Sequence, residues 1–186
     1  MRRARHVAVV TGTRAEWGLL QPVCRAIAHH PALRLHLLVT GVHLVSGTWR
    51  DIPDAGFDLA ARVPMQRRGE TGRFADADAL GRGVTGLSRA LRKLPDPTWV
   101  LVLGDRVEAF AAAAAASVAG IRVAHLHGGD RAEGVADEAL RHAVTKLAHL
   151  HLPATAASAR RIRRMGEPAA RVHRVGSPAI DGLRDI

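Results

Sequence analysis

Five stretches of the chain are near-continuous apolar runs of strand length, and most end at a glycine or a turn. They are HVAVVTG (6–12), LRLHLLVTG (33–41), TWVLVLGD (98–105), IRVAHLH (121–127) and LHLPA (150–154). A strand that keeps apolar residues at every position, rather than every second one, is buried on both faces. Helical stretches separate them. LLQPVCRAIAHH (19–30) puts Leu20, Val23, Cys24 and Ile27 on one face, and ADEALRHAVTKLAHL (136–150) does the same with Leu140, Ala143, Val144 and Leu147. RVEAFAAAAAASVAG (106–120) is a closely packed alanine-rich helix with a glycine at its end, and ASARRIRRMG (157–166) is a late helix with an arginine-rich exposed face. FADADALGRGVTGLSRALRKL (74–94) is helical but weakened by its glycines. FDLAARVP (57–64) and ARVHRVG (170–176) read as further strands.

Strands alternating with helices predict βαβ units: an α/β, Rossmann-like parallel sheet with helices on both faces. Ligands of such sheets bind outside the carboxyl ends of the strands, at a topological switch point. The turns to inspect are therefore TGTRAEWG (11–18), TGVH (40–43), GDRVE (104–108), HLHGGDRAEG (125–134) and VGSP (175–178), with MQRRGETGRF (65–74) as the most mobile loop.

Bulk properties narrow the class. The 186 residues suffice for one domain with a real core, and 47% hydrophobic content argues for a globular fold. No apolar run reaches the roughly 18 residues of a membrane helix, so no membrane partner is expected. The lone cysteine, Cys24, excludes an internal disulfide framework, reads as a core residue and fits a reducing, cytoplasmic setting. The net charge of +10 is carried by scattered arginines, and aromatics are 3% with no tyrosine. A stacking platform for nucleic acid is poorly supplied, whereas an anionic small molecule would use the same field.

Each strand end admits more than one reading. Gly12, Thr13 and Arg14 place backbone N–H groups and a guanidinium at a helix start, which suits a phosphate. Asp105, followed by Arg106, either caps the next helix or serves catalysis. His125 and His127 alternate along a strand and would face one side, but no further ligands at metal-site spacing lie nearby, so no metal is expected. The loop then either admits substrate close to its glycines or is a polar strand end with one histidine satisfied by a backbone carbonyl. Asp137–Arg141 and Glu138–His142 are i, i+4 pairs: a solvated face, or acids presented across from Asp105 and Asp130. Converging carboxylates would repel and raise at least one pKa, as acid–base chemistry requires.

Taken together, TGTRAEWGLL, LVTGVHL, LVLGDRVEAFAAA, GIRVAHLHGGD, DEALRHAVTKLAHLHL and VGSPAID resemble, in the same order, the hydrolysing UDP-N-acetylglucosamine 2-epimerases, in particular the branch that serves sialic-acid-type nonulosonates. The resemblance covers nearly the whole chain. It implies the amino-terminal half of a glycosyltransferase-B-type two-domain fold, with residues 1–176 as the domain and 177–186 as the start of a hinge. It implies UDP-N-acetylglucosamine as substrate, elimination of UDP through a 2-acetamidoglucal, then hydration, with no cofactor. By the same resemblance Asp105, Asp137, Asp130 and His127 are the catalytic candidates, many relatives having glutamate at the position of His127. Arg14, Gly12, Thr13, Arg106, Glu138, Arg141, His142 and Ser177 are the substrate-binding candidates. Family chains continue past GSP into a second domain, so the expected partner is a carboxyl-terminal domain or subunit, and turnover is expected to depend on it. A wall made to face that domain also favours self-association. A non-catalytic UDP-sugar-binding module and half of a glycosyltransferase are the competing readings.

Overall fold

The computed structural model describes residues 4–131 and 135–181, with the side chains of 135–137 outside the description. Six strands form one sheet: β1 (Arg5–Thr11), β2 (Leu33–Thr40), β3 (Leu59–Val63), β4 (Pro97–Leu103), β5 (Arg122–Leu126) and β6 (Leu150–Leu152). All neighbouring pairs are parallel, in the order β3-β2-β1-β4-β5-β6. This is the doubly wound order, and it reverses between β1 and β4.

The alternation of side chains along each strand divides the core. Ala8, Val10, Leu38, Val100, Val102 and Val123 face one side, against α4 (Arg73–Lys93), α5 (Val107–Val118) and α6 (Val135–Leu147). Val7, Val9, Leu37, Val39, Leu101 and Leu103 face the other, against α1 (Arg14–His29). Cys24 lies in this second layer, fully buried. Two short helices, α2 (Val42–Ser46) and α3 (Asp51–Asp54), follow β2, and α7 (Ala156–Arg164) follows β6. Ile162 of α7 packs with Ala159 and Val172 in a small separate cluster.

Three expectations change. Helix α1 begins at Arg14 rather than near Leu19, because Thr13 and Glu16 form a capping box that starts it at once. The expected strand over 170–176 is a 3-10 turn, Ala169–Arg171, followed by an isolated bridge between Val172 and His151. Helix α4 is not weakened uniformly by its glycines. A Cβ on Gly86 would lie 2.5 Å from Cγ1 of Val63, and one on Gly83 would lie 2.9 Å from Cε of Met65, so these two let α4 settle on the sheet. Gly81 has nothing within 4 Å.

These glycines should therefore respond in opposite directions to alanine. Gly81→Ala should raise stability by about 0.5–1 kcal/mol through helix propensity. Gly86→Ala should lower it by about 1 kcal/mol or more by forcing α4 off Val63. Urea unfolding midpoints at unchanged m-value measure both.

Candidate functional site

The carboxyl ends of β1, β2, β4 and β5 bring the candidate residues to one edge of the sheet. At that edge a cavity of about 880 Å³ opens between the loop after β3, the start of α4 and the Asp105–Val107 turn, with Val42 and Leu140 on its walls.

Asp105 does not cap α5, whose N-cap is Arg106 and carries no side-chain cap bond. Its Oδ2 instead accepts from Arg141 of α6, in an ion pair between half-buried side chains. Arg141 is thereby turned inward, toward the acid after β4. Glu138 and His142 pair with each other as their spacing expects, with 3.5 Å between Oε1 and Nε2. The backbone of Asp137 belongs to α6, and its side chain lies outside the described residues.

The two histidines of HLH are held differently. His125 ends the strand wholly buried, and its Nε2 lies 2.7 Å from the carbonyl of Gly104, to which it donates. Burial drives its pKa down to about 3, so it is a neutral structural residue. His127 lies past the strand end at φ +61°, a left-handed backbone. Its Nδ1 stands 3.8 Å from Oδ2 of Asp130, and its buried Nε2 has no hydrogen-bond partner among the described residues. Burial also holds His127 below the usual histidine range, against the pull of Asp130. Asp130 is fixed in turn by a hydrogen bond from Ser158 Oγ of α7.

The double glycine between these two residues serves packing rather than an open approach for substrate. A Cβ on Gly128 would lie 2.8 Å from Nδ1 of His125, and one on Gly129 would lie 2.5 Å from the Ser158 carbonyl. Gly129 also has φ +76°, and its carbonyl accepts from Arg161, so the turn is locked onto α7.

The turn after β1 holds an acid that the sequence reading did not single out. Oε2 of Glu16 accepts from the N–H groups of Gly12 and Thr13, at 2.7 and 3.0 Å. The helix-start donors expected to meet a phosphate are thus occupied by the protein's own carboxylate. Arg14 is largely exposed, 3.8 Å from Asp51, and is not drawn to Asp105 or Asp130. Ser177 caps the last 3-10 turn by accepting from Ala179 N–H at 3.3 Å. A second acid, Glu108, is 1% exposed in the first turn of α5. Both acids had a sequence signal: T-x-x-E at 13–16 is a capping box, and Glu108 is the lone charge in an apolar helix. Among the described residues no three His, Cys, Asp or Glu side chains converge as a metal site.

Residues 25–186 match the UDP-N-acetylglucosamine 2-epimerase family. The chain is 38% identical over 182 residues to the hydrolysing UDP-N,N'-diacetylbacillosamine 2-epimerase of Legionella pneumophila, covering 96% of this chain and 48% of that protein. It is 34% identical over 180 residues to the UDP-N-acetylglucosamine 2-epimerase of Neisseria meningitidis, covering 95% of this chain and 46% of that protein. A crystal structure of UDP-GlcNAc 2-epimerase from Neisseria meningitidis, bound to UDP-GlcNAc, superimposes with a TM-score of 0.85 at 23% identity, over 96% of this chain and 48% of that one. The chain thus spans about half the length of the relatives it matches.

The Glu16 environment makes a stability prediction. Burial, with Glu108 adding to it, raises its pKa from 4.5 to about 7 in the folded chain. The folded state therefore holds the Glu16 proton more tightly than the unfolded state. Stability from this group is full below about pH 4.5 and falls as pH rises toward 7, by about 3 kcal/mol. Glu16→Gln should raise the unfolding temperature at pH 8 and leave it unchanged near pH 4. An equal effect at both pH values would contradict this assignment.

Proposed function

The chain belongs to the UDP-N-acetylglucosamine 2-epimerase family, and we propose that it is the amino-terminal catalytic half of a hydrolysing member acting on UDP-N-acetylglucosamine or a related 2-acetamido sugar nucleotide. Its sheet is one Rossmann-like half of the glycosyltransferase-B arrangement. We take residues 1–176 as the domain and Ser177 onward as the start of the connection to a second domain that closes the cleft, with residues 182–186 outside the described part.

The observation that carries the reading is the pair of differently held proton-transfer groups at one strand edge. Asp105 is ion-paired to Arg141, while burial lowers the pKa of His127, whose Nε2 has no hydrogen-bond partner among the described residues, beside Asp130. A neutral imidazole can accept a proton, and the Arg141 guanidinium fixes the position of the Asp105 carboxyl, so the edge offers two differently held groups.

In the proposed reaction a base removes the C2 proton and that electron pair forms the C1=C2 bond. The C1–O bond breaks, and UDP departs with its electrons. Water then adds its oxygen at C1, and a proton returns to C2 on the opposite face, giving the 2-epimer. His127, oriented by Asp130, is the proposed proton acceptor. Asp105 and Asp137 are the proposed acids and bases around C2 and C3. Arg106, Arg14 and His142 are the proposed partners of the departing diphosphate, with Arg141 holding Asp105 and Glu138 holding His142. The hydrolysing Legionella pneumophila relative supports the hydrolysing branch. The proposed setting is cytoplasmic, which the lone cysteine of the chain suits.

The test mixes this chain with a matching carboxyl-terminal half and UDP-N-acetylglucosamine and follows UDP release. Release is expected in the mixture, and Asp105→Asn should reduce it at least ~100-fold while UDP still binds. Saturable binding with no release in the mixture would favour a non-catalytic sugar-nucleotide module.

A further inference from the structure

Behind the cleft two buried carboxylates flank Gly12: Glu16 accepts from its N–H, and Glu108 fills the space of its missing Cβ. Glu108 Oε1 accepts from Gln66 Nε2 at 2.8 Å. Its Oε2 has Arg106 Nε at 3.3 Å, an ion pair off the hydrogen-bond direction, so that oxygen has no hydrogen bond. The Glu108 side chain fills the space where Gly12 and Gly41 lack a Cβ, with Cγ 2.5 and 2.6 Å from those positions. Glu108 therefore cannot retreat to solvent. Glu16 is equally fixed, by the two N–H groups after β1.

The charged groups acting on Glu16 are Glu108 and Arg106. Of the other polar groups around Gly12, His43 is buried below its usual pKa, with its ring between Thr11 and Thr48. Gln66 is neutral, and Asp105 already has Arg141. Arg106 is the member able to move. Its side chain is 47% exposed and lines the cavity beside Asp105.

We propose that Arg106 is a shared counter-ion, offsetting part of the charge of the Glu16–Glu108 pair while the cleft is empty and turning onto the diphosphate of a sugar nucleotide when one binds, so that anion binding is coupled to proton uptake by Glu16. The inference rests on the sugar-nucleotide reading given above. Its physical basis is that two adjacent desolvated carboxylates stripped of their cation cannot both stay ionised. Each negative ligand that takes Arg106 adds a further negative charge nearby, which acts in the same direction. By linkage, affinity rises as pH falls through the range in which Glu16 takes up its proton. Glu16 and Glu108 are positioning residues here: they set the resting place of Arg106 and the cost of moving it.

The test follows the carboxyl carbons of the chain labelled with ¹³C-glutamate, the two signals being assigned by their loss in Glu16→Gln and Glu108→Gln. Without ligand, Arg106→Gln should raise the Glu16 titration midpoint by about one pH unit, and Arg106→Lys should leave it near the wild-type value. Saturating UDP-N-acetylglucosamine, whose phosphates carry no titratable proton near neutrality, should raise the midpoint in the wild type and not in Arg106→Gln. An unmoved midpoint in Arg106→Gln overturns the shared counter-ion. Ligand binding seen at other resonances, with the Glu16 midpoint unmoved, overturns the coupling and leaves the sugar-nucleotide reading standing. No ligand-induced change anywhere removes that reading and this inference with it.

Discussion

Glu108 is the group around which the functional edge is packed. Its side chain occupies the space left by Gly12 and Gly41, its Oε1 takes the amide of Gln66, and its Oε2 faces Arg106. The turns after β1 and β2, the loop after β3 and the turn after β4 are thereby tied to one buried carboxylate. The site follows from the sheet itself. With both faces covered by helices, six parallel strands leave only their ends for ligands, and the reversal of order between β1 and β4 opens a crevice at the carboxyl end. Glu108 stands at the start of α5, directly after β4, and so beside that crevice.

Each acid near the edge is matched to a different kind of partner. Glu16 has backbone N–H groups, Glu108 an amide and a loosely held guanidinium, Asp105 an ion-paired arginine, and Asp130 a serine hydroxyl with a histidine beyond it. These matches keep several carboxylates close without mutual repulsion dominating. They also separate roles. His125, bonded to Gly104 and wholly buried, supports the turn, whereas His127 on its left-handed backbone has a ring nitrogen without a hydrogen-bond partner among the described residues.

Much of this was legible in the sequence, for identifiable reasons. Runs such as 98–105 and 6–12 are apolar at every position, and a strand buried on both faces leaves no other pattern. The catalytic candidates fell at strand ends for the same reason. Tertiary effects were not legible. The 170–176 stretch alternates like a strand, yet it meets β6 only through the Val172–His151 bridge. Period-two reasoning carries the strand through His127, whereas the strand ends at Leu126 and His127 has a positive φ. The i, i+4 spacing also gave no sign that Arg141 meets Asp105, 36 residues away. The acids Glu16 and Glu108 were passed over because a capping residue and a lone helix charge look ordinary until burial is known.

The central claim is that the carboxyl edge at the β1/β4 reversal, and no other surface of this chain, receives a sugar nucleotide. Mapping backbone amide shifts while titrating UDP-N-acetylglucosamine into the labelled chain tests it most directly. The expected result is saturable change confined to the turns at 104–107 and 127–130 and the loop at 66–72, with the arginine-rich face of α7 silent. Changes centred on that basic face, spread evenly over the surface or weakening with added salt alone, would show charge attraction without a site and would contradict the account.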